Sequence, residues 1–162
     1  MKKAGITHVV SCLYEGERSS VEFLEQDFDH LFLGIYDGIH EDIAAKFPQV
    51  FDFTANLTHR YSSSKLFVHC EAGVSRSPTL VIALIMKLET KRFFDAYNSV
   101  KSSRRQIFPN IGFASQLQRL ESDLLTEERI KSPSSLALYL HQVCNLPADV
   151  ELIQSATGTK KF

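Results

Sequence analysis

Length, composition and charge already exclude several classes of protein. The 162 residues suffice for one domain with a hydrophobic core, and the 44% apolar and 23% charged residues are ordinary for a globular chain. A net charge of −1 provides no general attraction for nucleic acid, and the longest apolar run, residues 79–86, is far too short to span a membrane.

The first half of the chain is predicted to contain two strands and a helix. Residues 6–13 and 30–36 are apolar and β-branched, which is typical of buried strands. Just before the first strand, Gly5 follows two lysines and an alanine, as at the C-terminal end of a helix. Apolar residues recur every three or four positions between 41 and 61, which predicts a helix that Pro48 should kink or divide.

The second half is predicted to be mostly helical. A short buried strand at Leu66–His69 leads through a compact turn into an apolar helix over 79–91, and two more helices are predicted over 94–102 and 112–129. Strands that alternate with helices predict an α/β fold in which helices flank a central, mainly parallel sheet.

Beyond residue 130 the composition changes to a serine- and proline-containing linker and a short amphipathic stretch over 136–146. We therefore predict a main domain, residues 1–130, and a C-terminal extension, residues 131–162, that contains one short helix.

The three cysteines, Cys12, Cys70 and Cys144, lie far apart and form no Cys-x-x-Cys pair. Such a sparse, odd number suits a reducing compartment and fits neither a disulfide framework nor a zinc site. We therefore expect a protein of the cytoplasm, with the nucleus as a second candidate location, that needs no metal and no cofactor.

The segment around Cys70 carries the main functional signal. Cys70 follows a buried strand, a loop of small residues contains Gly73, and a helix begins directly after Arg76. The loop N–H groups and the helix N-terminus can therefore converge on one bound anion, and the planar fork of Arg76 matches two phosphate oxygens. The predicted substrate-binding residues are Glu71, Ala72, Gly73, Val74, Ser75 and Arg76.

The same loop suits covalent catalysis by Cys70. Its positive field favours a thiolate, which can attack a phosphorus atom and form a cysteinyl-phosphate intermediate. Ser77, directly after Arg76, is placed to hydrogen-bond the leaving thiolate in the second step. The alternative for Cys70 is an inert buried cysteine, which the nine-residue context disfavours.

This segment resembles the signature of the dual-specificity phosphatases within the protein tyrosine phosphatase superfamily, small atypical type. The matching residues are His-Cys-x-x-Gly-x-Ser-Arg-Ser at 69–77, the Pro-Thr-Leu that follows, and Ile-x-Pro-Asn-x-Gly-Phe at 107–113. The resemblance covers residues 5–120. It implies a sheet flanked by helices and metal-free hydrolysis of phosphotyrosine and of phosphoserine or phosphothreonine in protein substrates. We expect no nucleic-acid or membrane partner, and the oligomeric state stays open.

The resemblance also implies a general acid on a loop some thirty residues before the cysteine. Asp37 fits, because it follows the strand predicted over 30–36 and precedes Gly38. Its carboxyl group can protonate the leaving oxygen and then activate water. Otherwise Asp37 is an ordinary turn residue. Asp42 is the rival acid, but its position suits the first turn of the following helix.

Four residues near the loop receive supporting roles. Either Arg104 or Arg105 holds a second phosphate or an acidic flank of the substrate, or these side chains are simply solvated. By resemblance, Asn110 braces the loop that bears the signature. His69 is expected to orient the loop through a backbone hydrogen bond.

Two further residues are assigned from the surroundings of Cys70. Glu71 on the rim should disfavour polyanionic ligands such as inositol phosphates. Cys12 is either a small buried residue or, as in some relatives, the partner of Cys70 in a reversible disulfide. Cys144 is given no role.

The sequence departs from the family pattern at its start. Members carry an edge strand and a helix before the strand predicted over 6–13, so either this sequence is short there or the segment after Ser132 covers the exposed sheet edge. A phosphate-binding scaffold without turnover is therefore the alternative to an active phosphatase. RNA 5′-phosphates and phosphoinositides are disfavoured as substrates, because the loop at 71–75 contains no basic residue.

Overall fold

The described residues form an α/β fold around a parallel sheet. In the computed structural model, residues 1–60, 64–125 and 135–144 are described. Within them, β1 (His8–Leu13), β2 (Asp29–Gly34) and β3 (Leu66–His69) form one sheet in the order β2-β1-β3, and both strand pairs are parallel.

The large hydrophobic core lies between one face of this sheet and the helices. The helices are α1 (Phe47–Arg60), α2 (Arg76–Glu89), α3 (Phe93–Ser103), α4 (Ile111–Leu124) and α5 (Ser135–Gln142). Because side chains alternate along a strand, Val10 and Cys12 of β1 face this core and are fully buried. The helix α2 lies at its centre and contacts β1 and β3 as well as α1, α3 and α4.

The opposite face of the sheet is covered by a thinner layer. Two 3₁₀ segments, Glu15–Ser20 and Glu22–Gln26, connect β1 to β2. A second, smaller core there contains Val9 and Leu13 from β1 together with Leu24. Ser11 lies on this face as well, and its side chain is completely buried.

The predicted elements agree with this architecture. The helical pattern over 41–61 is divided directly before Pro48, in line with the prediction, because a 3₁₀ turn, Ala44–Lys46, precedes the α-helix. The helix α1 begins at Phe47, so Pro48 lies in the first turn, where the missing N–H costs no intrahelical hydrogen bond. Gly5 adopts the predicted left-handed conformation with φ of 73°, but it ends a single 3₁₀ turn, Lys2–Ala4.

Helix boundaries differ from the predictions by a few residues. The helix α2 begins at Arg76 and not at residue 79, and it ends at Glu89 because Thr90 is left-handed with φ of 51°. The helix α4 ends at Leu124, and the remainder of the predicted helix, 126–129, lies outside the described residues. The predicted end of the last helix, after residue 144, lies outside them too.

The helix α5 packs into the main core. Tyr139 is fully buried and donates from its hydroxyl to the carbonyl of Pro109 at 2.6 Å, and Ser135 donates to the buried carboxylate of Glu121 at 2.6 Å. This part of the predicted extension is therefore continuous with the domain core, while the division at residue 130 stays a prediction. In the parts of the chain that are described, no helix is long and apolar enough to cross a bilayer.

Candidate active site

The loop between β3 and α2, residues 70–76, forms the centre of the site and is called the Cys70 loop below. It turns at Gly73, whose φ of 65° lies in the left-handed region. A β-carbon at Gly73 would also approach the guanidinium of Arg104 to 2.5 Å. Both observations explain why glycine occupies this position.

The carbonyl groups of the loop point outwards. Gly73 O accepts from Arg104 Nε at 3.0 Å, and Val74 O accepts from the N–H of Phe108 at 2.7 Å. In a planar trans peptide the N–H points opposite to the carbonyl, so the N–H groups that follow these carbonyls point into the loop. The N–H of Gly73 donates to Cys70 Sγ at 3.3 Å. The loop thus provides the convergent donors that the sequence predicted.

Cys70 lies at the centre of these donors. It is 8% exposed, and its sulfur is 3.1 Å from the hydroxyl oxygen of Ser77 in the first turn of α2. The N-terminus of a helix favours negative charge, and the Ser77 hydroxyl can donate to a sulfur anion. The structure therefore brings Cys70 and Ser77 together as expected.

Arg76 is buried beside the loop. Its side chain is 8% exposed and donates to Glu71 Oε2 at 3.3 Å and to the carbonyl of Ile35 at 3.4 Å. Its Nε lies 3.9 Å from Asp37 Oδ2 and has no hydrogen-bond partner among the residues described. A buried guanidinium with a spare donor is suited to binding an anion.

Asp37 is fixed to the loop by two hydrogen bonds. Its Oδ1 accepts from Ser75 Oγ at 2.7 Å and from Asn110 Nδ2 at 2.9 Å. Both bonds fall on the same oxygen, so Oδ2 stays available for a proton. The side chain is partly exposed at the rim of the loop.

Asn110 connects three parts of the site. Its backbone N–H donates to Ser75 Oγ at 3.2 Å, while its side-chain oxygen caps α4 by accepting from the N–H of Phe113 at 3.0 Å. The predicted bracing role is therefore visible in its contacts. Asp42, the rival acid, instead accepts from the N–H of Ala45 at 3.2 Å, which is the helix-start role.

Arg104 has a role that the sequence did not indicate. Besides bonding Gly73 O, its guanidinium lies 3.5 Å from Ala72 O, and the Gln106 amide donates to the same carbonyl at 3.3 Å. Arg104 therefore supports the outside of the loop and also lines the cavity beside it, and the hypothesis that it contacts the substrate stays a prediction. No sequence pattern could indicate this, because it depends on two loops meeting. Glu71 is exposed on the rim, as expected.

The other cysteines are distinguished from Cys70 by their surroundings. All three cysteines are free thiols. Burial, and then the proximity of Cys70, raise the pKa of Cys12, which keeps it protonated. This supports the interpretation of Cys12 as a small buried residue, and the disulfide hypothesis stays a prediction. Cys144 is half-buried, and burial raises its pKa as well.

Two residues near the nucleophile were missed by sequence reasoning. Ser11 Oγ lies 2.7 Å from His69 Nε2 and 2.8 Å from His30 Nε2. The backbone of Cys70 acts to raise the pKa of His69, and the predicted backbone hydrogen bond of this ring stays a prediction. Burial lowers the pKa of both histidines, so both rings are neutral at physiological pH. The only feature of the sequence that could have drawn attention to Ser11 is that it is a polar residue within a predicted buried strand.

A cavity of about 300 Å³ opens beside the loop. Cys70, Gly73 and Ser77 line its polar side, and Val81 and Val100 line its apolar side. Arg76 and Asp37 adjoin the same loop but do not line this cavity. A cysteine beside a loop of N–H donors, a buried arginine and a nearby carboxyl group, all at the C-terminal end of a parallel strand, are suited to binding a phosphate group.

Comparison with known protein families agrees with this geometry. The family model "Dual specificity phosphatase, catalytic domain" matches residues 1–123, and the chain belongs to this family. The family resemblance and the α/β fold predicted from the sequence are thereby confirmed.

Individual relatives show the same relationship. The protein-tyrosine-phosphatase MKP1 of Arabidopsis thaliana is 41% identical over 117 residues, which cover 72% of this chain and 14% of that protein. The serine/threonine/tyrosine-interacting protein A of Xenopus laevis is 36% identical over 141 residues, which cover 85% of this chain and 61% of that protein. The chain thus spans less than two thirds of the length of these curated relatives.

Among solved structures, the chain is similar to the human tyrosine phosphatase-like serine/threonine/tyrosine-interacting protein. The TM-score is 0.70 at 35% identity, and the match covers 77% of this chain and 82% of that structure. The shared fold therefore covers about three quarters of this chain.

Proposed function

We propose that this chain is a phosphatase that hydrolyses phosphate monoesters on protein side chains through a phosphorylated Cys70. The observation that carries the proposal is the convergence on one sulfur atom: the Gly73 N–H at 3.3 Å and the Ser77 hydroxyl at 3.1 Å, beside the buried Arg76. An inert core cysteine has no need of such donors.

The first step transfers the phosphoryl group to Cys70. The loop N–H groups and Arg76 bind the phosphate oxygens and stabilise the charge that spreads over them in the transition state. The thiolate forms a bond to phosphorus while the ester bond breaks. Asp37 gives its proton to the departing oxygen, which leaves as the free hydroxyl of the protein side chain.

The second step hydrolyses the intermediate. Asp37, now a carboxylate, takes a proton from a water molecule as the water oxygen attacks phosphorus. The sulfur–phosphorus bond breaks and inorganic phosphate is released. The Ser77 hydroxyl and the Gly73 N–H stabilise the returning thiolate, so the enzyme regains its starting state. No redox change and no metal-bound species enters this balance.

The proposed substrates are phosphorylated proteins, with phosphotyrosine and phosphoserine or phosphothreonine both accepted. Support comes from the family to which the chain belongs. Asp37 also lies at a partly exposed rim, so the phosphorylated side chain does not have to be an aromatic ring that enters a deep slot. We further propose a reducing compartment, the cytoplasm or nucleus, because the mechanism requires Cys70 as a free thiol.

Phosphate binding without turnover is the second candidate function. It is favoured by the similarity to a protein described as phosphatase-like and named for its interactions. Cys70, Arg76 and Asp37 are all present in hydrogen-bonded positions here, which supports turnover over binding alone.

Hydrolysis of an aryl phosphate by the purified chain, with a chelator present, separates the two functions. The wild-type chain should release phosphate. Cys70→Ser should lose turnover by on the order of 10⁴-fold or more while it still binds a phosphopeptide in calorimetry. A folded wild-type chain that binds the phosphopeptide without releasing phosphate would favour the scaffold, and turnover retained by Cys70→Ser would exclude the covalent mechanism.

A further inference from the structure

Four exposed hydrophobic side chains lie on two short segments beside the candidate active site. They belong to Tyr36, Ile39, Phe108 and Ile111, which are between 44% and 64% exposed. Among the residues that the structure describes, nine large hydrophobic residues are exposed, so nearly half of them are concentrated in these two segments. These four side chains are called the apolar patch below.

The two segments that carry the apolar patch contact each other. Asn110 Nδ2 donates to Asp37 Oδ1 at 2.9 Å. A β-carbon at Gly112 would collide with the carbonyl group of Ile39, so the backbone of Ile39 lies directly against the first turn of α4. Ile111 is the neighbour of Gly112 in that turn. The absence of a side chain at Gly112 thus allows the two segments to meet beside the site.

The other two members of the apolar patch are also next to residues of the site. The N–H of Phe108 donates to Val74 O in the Cys70 loop at 2.7 Å. Tyr36 directly precedes Asp37, and its ring lies 3.0 Å from the position that a β-carbon at Gly38 would take. The ring is therefore beside the main chain of the segment that carries the proposed acid.

The neighbouring segment, residues 104–106, has the opposite character. Its three side chains, Arg104, Arg105 and Gln106, are exposed and polar. Arg104 and Gln106 contact the carbonyl groups of the Cys70 loop. Exposed apolar surface is therefore not a general property of the surroundings of the loop, and its concentration at 36–39 and 108–111 needs an explanation.

We propose that the apolar patch binds apolar side chains next to the phosphorylated residue of a protein substrate, and so selects phosphorylation sites with hydrophobic neighbours. This inference rests on the proposed function and deepens it. A phosphate group held by the Cys70 loop fixes the position of the substrate residue. In an extended peptide the next residues are about 3.4 Å further along, which brings their side chains to the apolar patch. Removal of both apolar surfaces from water stabilises the complex.

A substrate peptide is the occupant that the position of the apolar patch favours. The patch is continuous with the site that holds the proposed nucleophile and acid, so a protein substrate lies across it during each turnover. Glu71 exposes its carboxylate at the same loop, and it opposes acidic residues in the peptide. Apolar neighbours of the phosphorylated residue meet no such opposition.

Hydrolysis of three matched phosphotyrosine peptides by the full chain tests this proposal. The peptides differ only at the two positions on each side of the phosphotyrosine, which are all leucine, all serine or all glutamate. The wild type should hydrolyse the leucine peptide with kcat/KM about tenfold above that for the serine peptide, because partial burial of leucine side chains favours the complex. The glutamate peptide should be no better than the serine peptide.

Substitutions in the apolar patch should reduce this preference. Ile39→Ser and Ile111→Ser should each lower the ratio of kcat/KM between the leucine and serine peptides by about threefold. A purely structural loss would slow both peptides equally and leave the ratio unchanged. Leu88→Ser is the matched control, because Leu88 is 68% exposed but lies in the last turn of α2, about 17 Å along the helix from Ser77. It should leave the ratio at the wild-type value, and Ile111→Val should keep most of it.

Three results would overturn the proposal. The first is an equal kcat/KM of the wild type on the leucine and serine peptides; binding of the chain to phosphatidylcholine vesicles would then identify a lipid surface as the occupant. The second is a preference for the glutamate peptide, which would favour an acidic flank held by Arg104 or Arg105. The third is a ratio in Ile39→Ser and Ile111→Ser as high as in Leu88→Ser. If one of these two variants fails to fold, the other decides.

Calorimetry separates this inference from the proposed function. Binding of the three peptides to Cys70→Ser needs no turnover and should show the same preference for the leucine peptide. A wild-type chain that hydrolyses none of the peptides, while the leucine peptide binds more tightly, would refute the proposed function and leave this inference standing. Hydrolysis of all three peptides at equal rates would refute this inference and leave the proposed function standing.

Discussion

The Cys70 loop and the carboxyl group of Asp37 are built in opposite ways, although they meet at Ser75. The loop is one continuous stretch of chain that carries its nucleophile, its N–H donors and its arginine together. Asp37 comes from a different strand end and is held by Ser75 and by Asn110, which are distant in sequence. A contiguous site tolerates movement of its neighbours, whereas an assembled one depends on every segment that supports it.

Among the predicted changes in catalysis, the substitution of Asp37, which is held in place by residues distant in sequence, should have the largest effect. Asp37→Ala should slow hydrolysis of a poor leaving group such as phosphotyrosine by about 10²–10⁴-fold, because the departing oxygen loses its proton donor. An activated aryl phosphate needs no such proton and should be affected much less. Steady-state kinetics on both substrates checks this, and equal losses on the two would mean that Asp37 is not the acid.

The outer support of the loop should come next in size. Arg104→Ala removes the donor to Gly73 O and the guanidinium beside Ala72 O, so kcat/KM should fall about tenfold on any phosphate ester. Arg105→Ala is the matched control, because it removes the neighbouring positive charge and should change kcat/KM little. A larger loss in Arg105→Ala would instead favour the hypothesis that Arg105 binds the substrate's flank.

Substitutions of Asn110 can separate its support of Asp37 from its role as the cap of α4. Asn110→Ser retains a side chain that caps α4, but it removes the donor to Asp37. Stability should therefore stay near wild type while kcat on phosphotyrosine falls about threefold to tenfold. Asn110→Ala should show the same kinetic loss and also lose about 1 kcal/mol of stability in urea unfolding. Full activity in Asn110→Ser would show that Asp37 does not need this brace.

The smallest expected effect concerns the stability of the protein, and it involves the two histidines beneath the Cys70 loop. Burial lowers the pKa of His30 and His69 below the ordinary value near 6.5. Between the lowered and the ordinary pKa, the unfolded chain binds more protons than the folded one. The contribution of these two histidines to the free energy of unfolding should thus be complete above about pH 6.5 and fall as the pH drops below it.

Urea unfolding of the wild type and of His30→Gln across this pH range measures the effect. The variant lacks one of the two groups, so its stability should depend less steeply on pH below 6.5. Parallel curves for the two proteins would show that His30 titrates alike in the folded and unfolded states.

Much of the site was predictable because it is local in sequence. Cys70, Gly73, Arg76 and Ser77 lie within eight residues, and the strand before them and the helix after them have patterns of their own. The family resemblance, which implies a general acid about thirty residues before the cysteine, pointed to Asp37 because it follows a predicted strand. Pro48 likewise indicated the break in the helical pattern over 41–61, because proline is tolerated in the first turn of the helix that begins at Phe47.

The sequence by itself indicated the α/β fold, the loop that we propose binds phosphate and the cysteine that we propose as its nucleophile, since each depends on residues within one turn or strand of each other. Only the tertiary structure decided that Arg104 supports the loop, that Asn110 braces Asp37, and that Ser11 links His30 to His69. These contacts join segments from 19 to 73 positions apart. Such distances are set by how strands register and loops meet, which no local pattern in the chain records.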